Sequence, residues 1–191
     1  MRPLVSAPPA EGRPGRGFTL IELAIVIAAI GLLVAATLPA FNAVAARGRL
    51  LAAAQQLQAD IGLAREQASR LAQPVHLSFQ PGPQWCYALS ADAALDCRDA
   101  AKAQGSGALI KRVVAADYPD VLLMAAQPMA LDHRSGARIG AIGEARFALR
   151  SGQQLQVSLG QLGRSSLCAP AQAIAGTPLC AVQTSHAIDQ R

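Results

Sequence analysis

From Phe18 to Ala46 the chain is apolar, and its one charge is Glu22. That run exceeds the ~20 residues a helix needs to cross a hydrocarbon core. From Leu50 the pattern changes. Leu50, Ala54, Leu57, Ile61, Ala64, Ala68 and Leu71 recur at alternating spacings of 4 and 3, while Arg49, Gln56, Asp60, Arg65, Gln67 and Arg70 fall off that line. This is the period of an amphipathic helix with a narrow apolar face. Gln73-Pro74 ends it, because the residue before a proline is pushed out of the helical region. The two patterns together predict one helix from Phe18 to Leu71, roughly 80 Å long. Pro39 lies in its apolar half. It removes a hydrogen bond and crowds the preceding turn, which predicts a kink or a local opening. A stripe of three heptads followed by β-type sequence favours packing on a sheet over a free coiled coil.

From Pro74 onward the period falls to two. Val75, Leu77 and Phe79 alternate with His76 and Ser78, a strand signal. Pro81-Gly82-Pro83 turns the chain, and residues 84–90 return. Residues 91–108 read as a loop rich in Ala, Asp and Gly. Further strands are expected at 109–114, 121–126, 145–149, 154–159 and 164–168, with 127–143 turn-rich. Several short strands with frequent turns predict antiparallel sheet.

Composition sharpens this picture. The 191 residues are 52% apolar and 15% charged, which excludes disorder as the main state. With one long apolar run, a multi-span membrane protein is excluded as well. Residues 1–17 carry Arg2, Arg13 and Arg16 against Glu11, a net +2 of the chain's +5. The four cysteines, Cys86, Cys97, Cys168 and Cys180, fall into two local pairs without a C-x-x-C spacing. Zinc ribbons and thioredoxin-like motifs are therefore disfavoured. Outside the cytoplasm, two local disulfides are the natural reading, with three pairings open to four cysteines.

The basic leader ends in Arg16-Gly17 and is followed by Phe18-Thr19-Leu20-Ile21-Glu22-Leu23. A secretory signal places its cleavage site after the apolar region, not before it. The segment from Gly17 to Leu23 closely resembles the prepilin peptidase recognition motif of type IV pilins and type II secretion pseudopilins. The resemblance implies cleavage between Gly17 and Phe18 and N-methylation of Phe18. Glu22 and Pro39 then take the fifth and twenty-second mature positions, where many type IV pilins carry the same residues. Glu22 would neutralise the N-terminal ammonium of a neighbouring subunit during assembly. A carboxylate in an apolar helix is costly enough to imply such a role. Leader 1–17 would be removed, 18–46 would form the transmembrane and assembly helix, 47–73 its amphipathic half, and 74–191 a periplasmic β-rich head. The positive-inside rule sets this orientation, with a single inner-membrane pass and a cytoplasmic N-terminus.

The head carries a resemblance of its own. Trp85-Cys86-Tyr87 with Cys97, residues 146–152, Val157-Ser158-Leu159 and Gly163-Arg164 are similar to the GspH/FimT family of minor pseudopilins and minor pilins. The implied fold is α+β: a long N-terminal helix packed on a head of two antiparallel sheets, the pilin-like lollipop. The implied function is that of a GspH-like minor pseudopilin in type II secretion, working through filament assembly. The alternative is a FimT-like minor pilin of a type IV pilus that binds DNA for uptake. DNA-binding members show Gly-Arg-x-Arg near the C-terminus, and here the stretch reads Gly163-Arg164-Ser165-Ser166. Arg134, Arg138, Arg146, Arg150 and Arg164 are the candidates for a basic face that would hold phosphates without reading sequence. The implied partners are the prepilin peptidase, other pseudopilins or pilins, and the inner membrane, with DNA under the alternative.

Enzymatic motifs are missing. His76, His133 and His186 fit no H-E-x-x-H pattern, and neither a G-x-S-x-G elbow nor a phosphate-binding loop occurs. Asp132-His133 is an adjacent pair, and chain neighbours seldom face one another. Asp92, Asp96 and Asp99 do not match an EF-hand spacing. No cofactor, metal or catalytic residue is expected. Trp85 and Tyr87 share one parity and are expected in the core rather than on a stacking platform.

Overall fold

A computed structural model describes residues 17–99, 108–174 and 176–180, without the side chains of 36–40. The chain divides into two compact units, Met1–Asn42 and Ala43–Arg191. Helix α1 (Leu20–Leu71) contributes to both. It starts two residues later than the hydrophobic run. Its backbone is helical through residue 39, and the Pro39 side chain lies outside the described residues. The leader arginines and His186 also lie outside them.

In the second unit, the stripe seen in the sequence becomes the buried face. Leu50, Ala54, Leu57, Ile61, Ala64 and Ala68 are all at most 1% exposed, and Ala53 joins them. Four of these seven are alanines, whose small side chains let the backbone lie close to the sheets. Burying Leu50, Leu57 and Ile61 stabilises by roughly 1.5–3 kcal/mol each. Two expectations fail on this helix. Leu71 is 44% exposed, so the buried stripe ends one turn earlier, at Ala68. Asp60, placed off the stripe, is 2% exposed. It belongs to a second line, Ala53-Leu57-Asp60-Ala64, interleaved with the first at the same spacing. The helix stops at Ala72, which adopts φ 52°, the left-handed position that usually falls to glycine after a helix.

Eight strands follow: β1 (Val75–Gln80), β2 (Cys86–Ser90), β3 (Leu109–Val114), β4 (Val121–Ala126), β5 (Met129–Leu131), β6 (Gly143–Leu149), β7 (Gln154–Leu159) and β8 (Ser165–Cys168). They form two antiparallel four-stranded sheets, ordered β3-β2-β1-β5 and β4-β6-β7-β8. Strand β5 lies in the region expected to be turn-rich. It is three residues long and pairs with β1, Val75 opposite Leu131. Alternation along β1 and β7 is regular, with one face buried and the other half-buried. Inward residues of both sheets share one apolar core with the helix, including Leu77, Tyr87, Met129, Phe147, Leu155 and Val157. Trp85 and Tyr87 are both in that core, stacked at 6.3 Å, and Trp85 Nε1 donates to the Val121 carbonyl at 2.8 Å.

Strand β2 departs from simple alternation, since all five of its residues are buried. Its outer side is covered by the loop at 91–99. The disulfide Cys86–Cys97 ties that loop down, and Gln80 Nε2 donates to Asp96 Oδ2 at 2.7 Å. Cys86, Ala88 and Cys97 form a small second core there. The other disulfide, Cys168–Cys180, holds the chain after β8 against the edge of the second sheet, where Ala169 bridges Leu179. Edge strand β5 is likewise bridged, Leu131 to Arg138. Covered edges of this kind suppress unintended strand pairing.

Candidate functional site

Gly17, Phe18 and Glu22 open the described chain. Phe18 is 80% exposed. Thr19 is the helix cap: its Oγ1 accepts the Glu22 N–H at 3.3 Å, and its carbonyl accepts the Leu23 N–H at 3.1 Å. Glu22 stands three residues past that cap, at the positive end of the helix dipole, where a carboxylate is favoured. The Thr-x-x-Glu spacing is that of a capping box, a signal the sequence reading did not use. Beyond it the helix is apolar on every side, and Leu20, Ile21, Leu23, Ile25, Val26, Ile27, Ile30, Leu32, Leu33 and Val34 are all exposed. A helix apolar all round is one that lipid or other helices cover. Among the described residues, no helix is long and apolar enough to cross a membrane. Side chains 36–40 lie outside the described residues, Phe41 and Val44 beyond them are again exposed, and the sequence stays uncharged to residue 46.

Within the head, the five candidate arginines do not gather on one face. Arg138 and Arg164 meet across a hollow of about 230 Å3, which Ile142, Ser158, Gln161 and Ser166 also line. Arg138 Nη1 reaches the Leu159 carbonyl at 3.4 Å. Arg146 lies on the outward face of β6 and donates to Gln156 Oε1 at 3.2 Å. Arg150 sits in the turn after β6, at the opposite end of the β6–β7 pair, beside Pro81, Gly82 and Met124. Arg134 belongs to the turn capped by Asp132.

Asp132 and His133 do face one another, at 3.7 Å, against the expectation for chain neighbours. The carboxylate is nonetheless used as a turn cap. The Ser135 backbone N–H and hydroxyl and the Arg134 N–H all donate to it. Those donors, the Ser135 backbone first, hold its carboxyl below the ordinary carboxylate value. Asp92 and Asp96 also accept local backbone N–H groups. Asp96 lies close to Cys86 and Cys97, but both sulfurs are in a disulfide and have no thiolate to give a metal.

The sequence reading missed Asp60. Tyr87 Oη donates to Asp60 Oδ2 at 2.8 Å, and Lys111 Nζ at 2.6 Å and Gln56 Nε2 at 3.0 Å donate to Oδ1. Helix, β2 and β3 therefore meet on one buried carboxylate. Burial, and then the neighbouring Asp60 charge, push the Tyr87 phenol above its ordinary value.

Residues 53–163 match the family described as Type II transport protein GspH, and residues 13–38 match the Prokaryotic N-terminal methylation motif. The chain belongs to the GspH family. A GspH-family chain that carries this motif is a pilin or pseudopilin, structural by kind, and the motif implies processing by a prepilin peptidase and assembly with other pilins. A solved structure similar to this GspH-family chain is the type IV minor pilin FimU of Pseudomonas aeruginosa. It is 17% identical, with a TM-score of 0.46, over 65% of this chain and 100% of that one. A comparison with curated protein sequences found no match.

Proposed function

We propose that this chain is a minor pseudopilin of a type II secretion pseudopilus and serves protein secretion through filament assembly. The observation that carries this reading is the match to the GspH family across the head, joined in one chain to the N-terminal methylation motif. On this reading the leader 1–17 is removed between Gly17 and Phe18, and Phe18 is N-methylated. Residues 18–46 hold the chain in the inner membrane and then pack in the filament core, with Pro39 easing the repacking. Residues 47–73 carry the head, 74–191, on the periplasmic side. Glu22 neutralises the Phe18 ammonium of a neighbouring subunit. Glu22→Ala should leave leader cleavage intact and reduce incorporation into the filament at least tenfold, read by immunoblot of sheared filaments. Normal incorporation would remove the role given to Glu22.

The test of the whole reading is a deletion strain. An exported enzyme should accumulate in the periplasm instead of the medium, and the intact gene should restore its release. Unchanged secretion would reject the pseudopilus assignment.

A second reading has its own support in the shared hollow of Arg138 and Arg164. It makes the protein a FimT-like minor pilin that holds DNA by its phosphates. DNA affinity would then fall steeply with salt, through release of counterions. Arg164→Ala would weaken it on every sequence alike, and absence of binding at low salt would end this reading for duplex DNA.

A further inference from the structure

A second cationic feature lies on the other sheet, away from the arginines above. Where the covering loop meets the ends of β2 and β3, there is an open groove of about 690 Å3. Pro83, Gln84, Trp85, Val114 and two arginines, Arg98 and Arg112, line it. Among the described residues its lining holds two arginines and no carboxylate. Among the described residues, neither guanidinium has an acidic partner.

Arg112 is held by its side chain and Arg98 by its backbone. Arg112 projects from the outward face of β3, opposite Ala88, and its Nε donates to the Cys97 carbonyl at 2.7 Å. That bond leaves the two terminal nitrogens for a ligand. Arg98 follows Cys97 in the chain, and its backbone N–H is fixed by Asp96 Oδ1 at 2.9 Å. Cys97 itself is fully buried and bonded to Cys86. The disulfide therefore fixes the carbonyl that anchors Arg112 and the backbone from which Arg98 springs before any ligand arrives. Such preorganisation removes much of the ordering cost of binding. Planar guanidinium groups favour carboxylate or phosphate, which they meet with paired hydrogen bonds.

The lining decides between these two. Val114, Ala115 and Ala116 make part of it apolar. A nucleic acid duplex needs an extended basic surface, and this groove offers two cations. A short peptide with one or two carboxylates among small apolar side chains fits both the charge and the apolar lining. We propose that this groove docks an acidic segment of a neighbouring filament subunit, with Arg98 and Arg112 holding its carboxylates. The proposal rests on the reading of the chain as a filament subunit.

The test uses the full chain in its own cells, with the photoreactive residue p-benzoylphenylalanine at position 84, which is exposed at the groove mouth. Irradiation should give an adduct with another subunit bearing the N-terminal methylation motif, mapped by mass spectrometry to an acidic segment. Arg98→Glu with Arg112→Glu should lower adduct yield at least tenfold, and Lys in place of the mapped acidic residues should restore it. Arg98→Glu alone, at an exposed side chain, should lower the yield several-fold and covers the case where the double variant misfolds. Cys86→Ser with Cys97→Ser should also lower it, because the anchor of Arg112 is lost. Unchanged yield in the Arg98 variants, or an adduct with nucleic acid, overturns the proposal. Filament incorporation is scored in the same cells. A chain absent from the filament fails the underlying reading, whereas a chain present without an adduct fails the groove alone.

Discussion

Replacing Asp60 by alanine tests whether the carboxylate fastens helix to sheet. Asp60 is 2% exposed and accepts three hydrogen bonds, one of them from the buried Tyr87 hydroxyl. Hydrogen bonds to a charged group contribute about 1.5–3 kcal/mol each, and a stranded buried hydroxyl costs about 1–3 kcal/mol. These terms overlap rather than add, since the three donors share one group. The Lys111 side chain is 33% exposed, so its ammonium can turn toward water once the partner is gone. The loss should therefore be about 3–4 kcal/mol, in the range for breaking a buried pair. Asp60→Asn keeps an acceptor for Tyr87 and should lose only about 1–2 kcal/mol. Urea unfolding of a head fragment starting at Ala43 gives the assay. Trp85 is the chain's one tryptophan and stacks on Tyr87, so its fluorescence reports this packing directly. Asp60→Leu combined with Tyr87→Phe should recover much of the loss, because the buried carboxylate and hydroxyl go together while Lys111 and Gln56, both only part-buried, can turn to water. A cost under about 1 kcal/mol for Asp60→Ala, or a double variant no better than it, would refute the reasoning.

Three further outcomes follow from the same structure. Tyr87 is raised in the folded state, so its contribution is complete below the ordinary phenol value of 10.0 and is lost as pH rises above it. Unfolding monitored across pH 9–12 should show stability falling above about pH 10, and Tyr87→Phe should flatten that fall. Gly163 is buried at φ +73°, and an added Cβ would lie 1.8 Å from the Gly136 carbonyl oxygen. Gly163→Ala should therefore cost more than the ~1–2 kcal/mol of left-handed strain alone, read as a lowered urea midpoint. Ala72, at φ 52°, carries that strain without a clash to avoid, and Ala72→Gly should raise stability by about 0.5–1 kcal/mol in the same titration.

Much of this protein is set by local pattern. The apolar run from Phe18, the 4-3 stripe from Leu50 and the alternation in β1 are periodicities of one segment, so the elements could be read without knowing their neighbours. The N-terminal methylation motif is equally local, being a short stretch of chain. The pairing of distant segments is different. Strand β5 has three residues and no period to read; it exists because β1 offers an edge to Met129–Leu131. Asp60 looked like a solvated residue until Tyr87 and Lys111, 27 and 51 positions away, were brought onto it. The five arginines formed a group in sequence, but sheet register sent Arg150 to one end of β6 and Arg164 to the other. Arg98 and Arg112 were unremarkable in sequence and became neighbours only when Cys97 was bonded beneath β2. Periodicity fixes which face of an element is apolar, since that depends on backbone geometry alone. Which charges meet depends on register, turns and cross-links over long sequence separations, and those are settled only when the core closes.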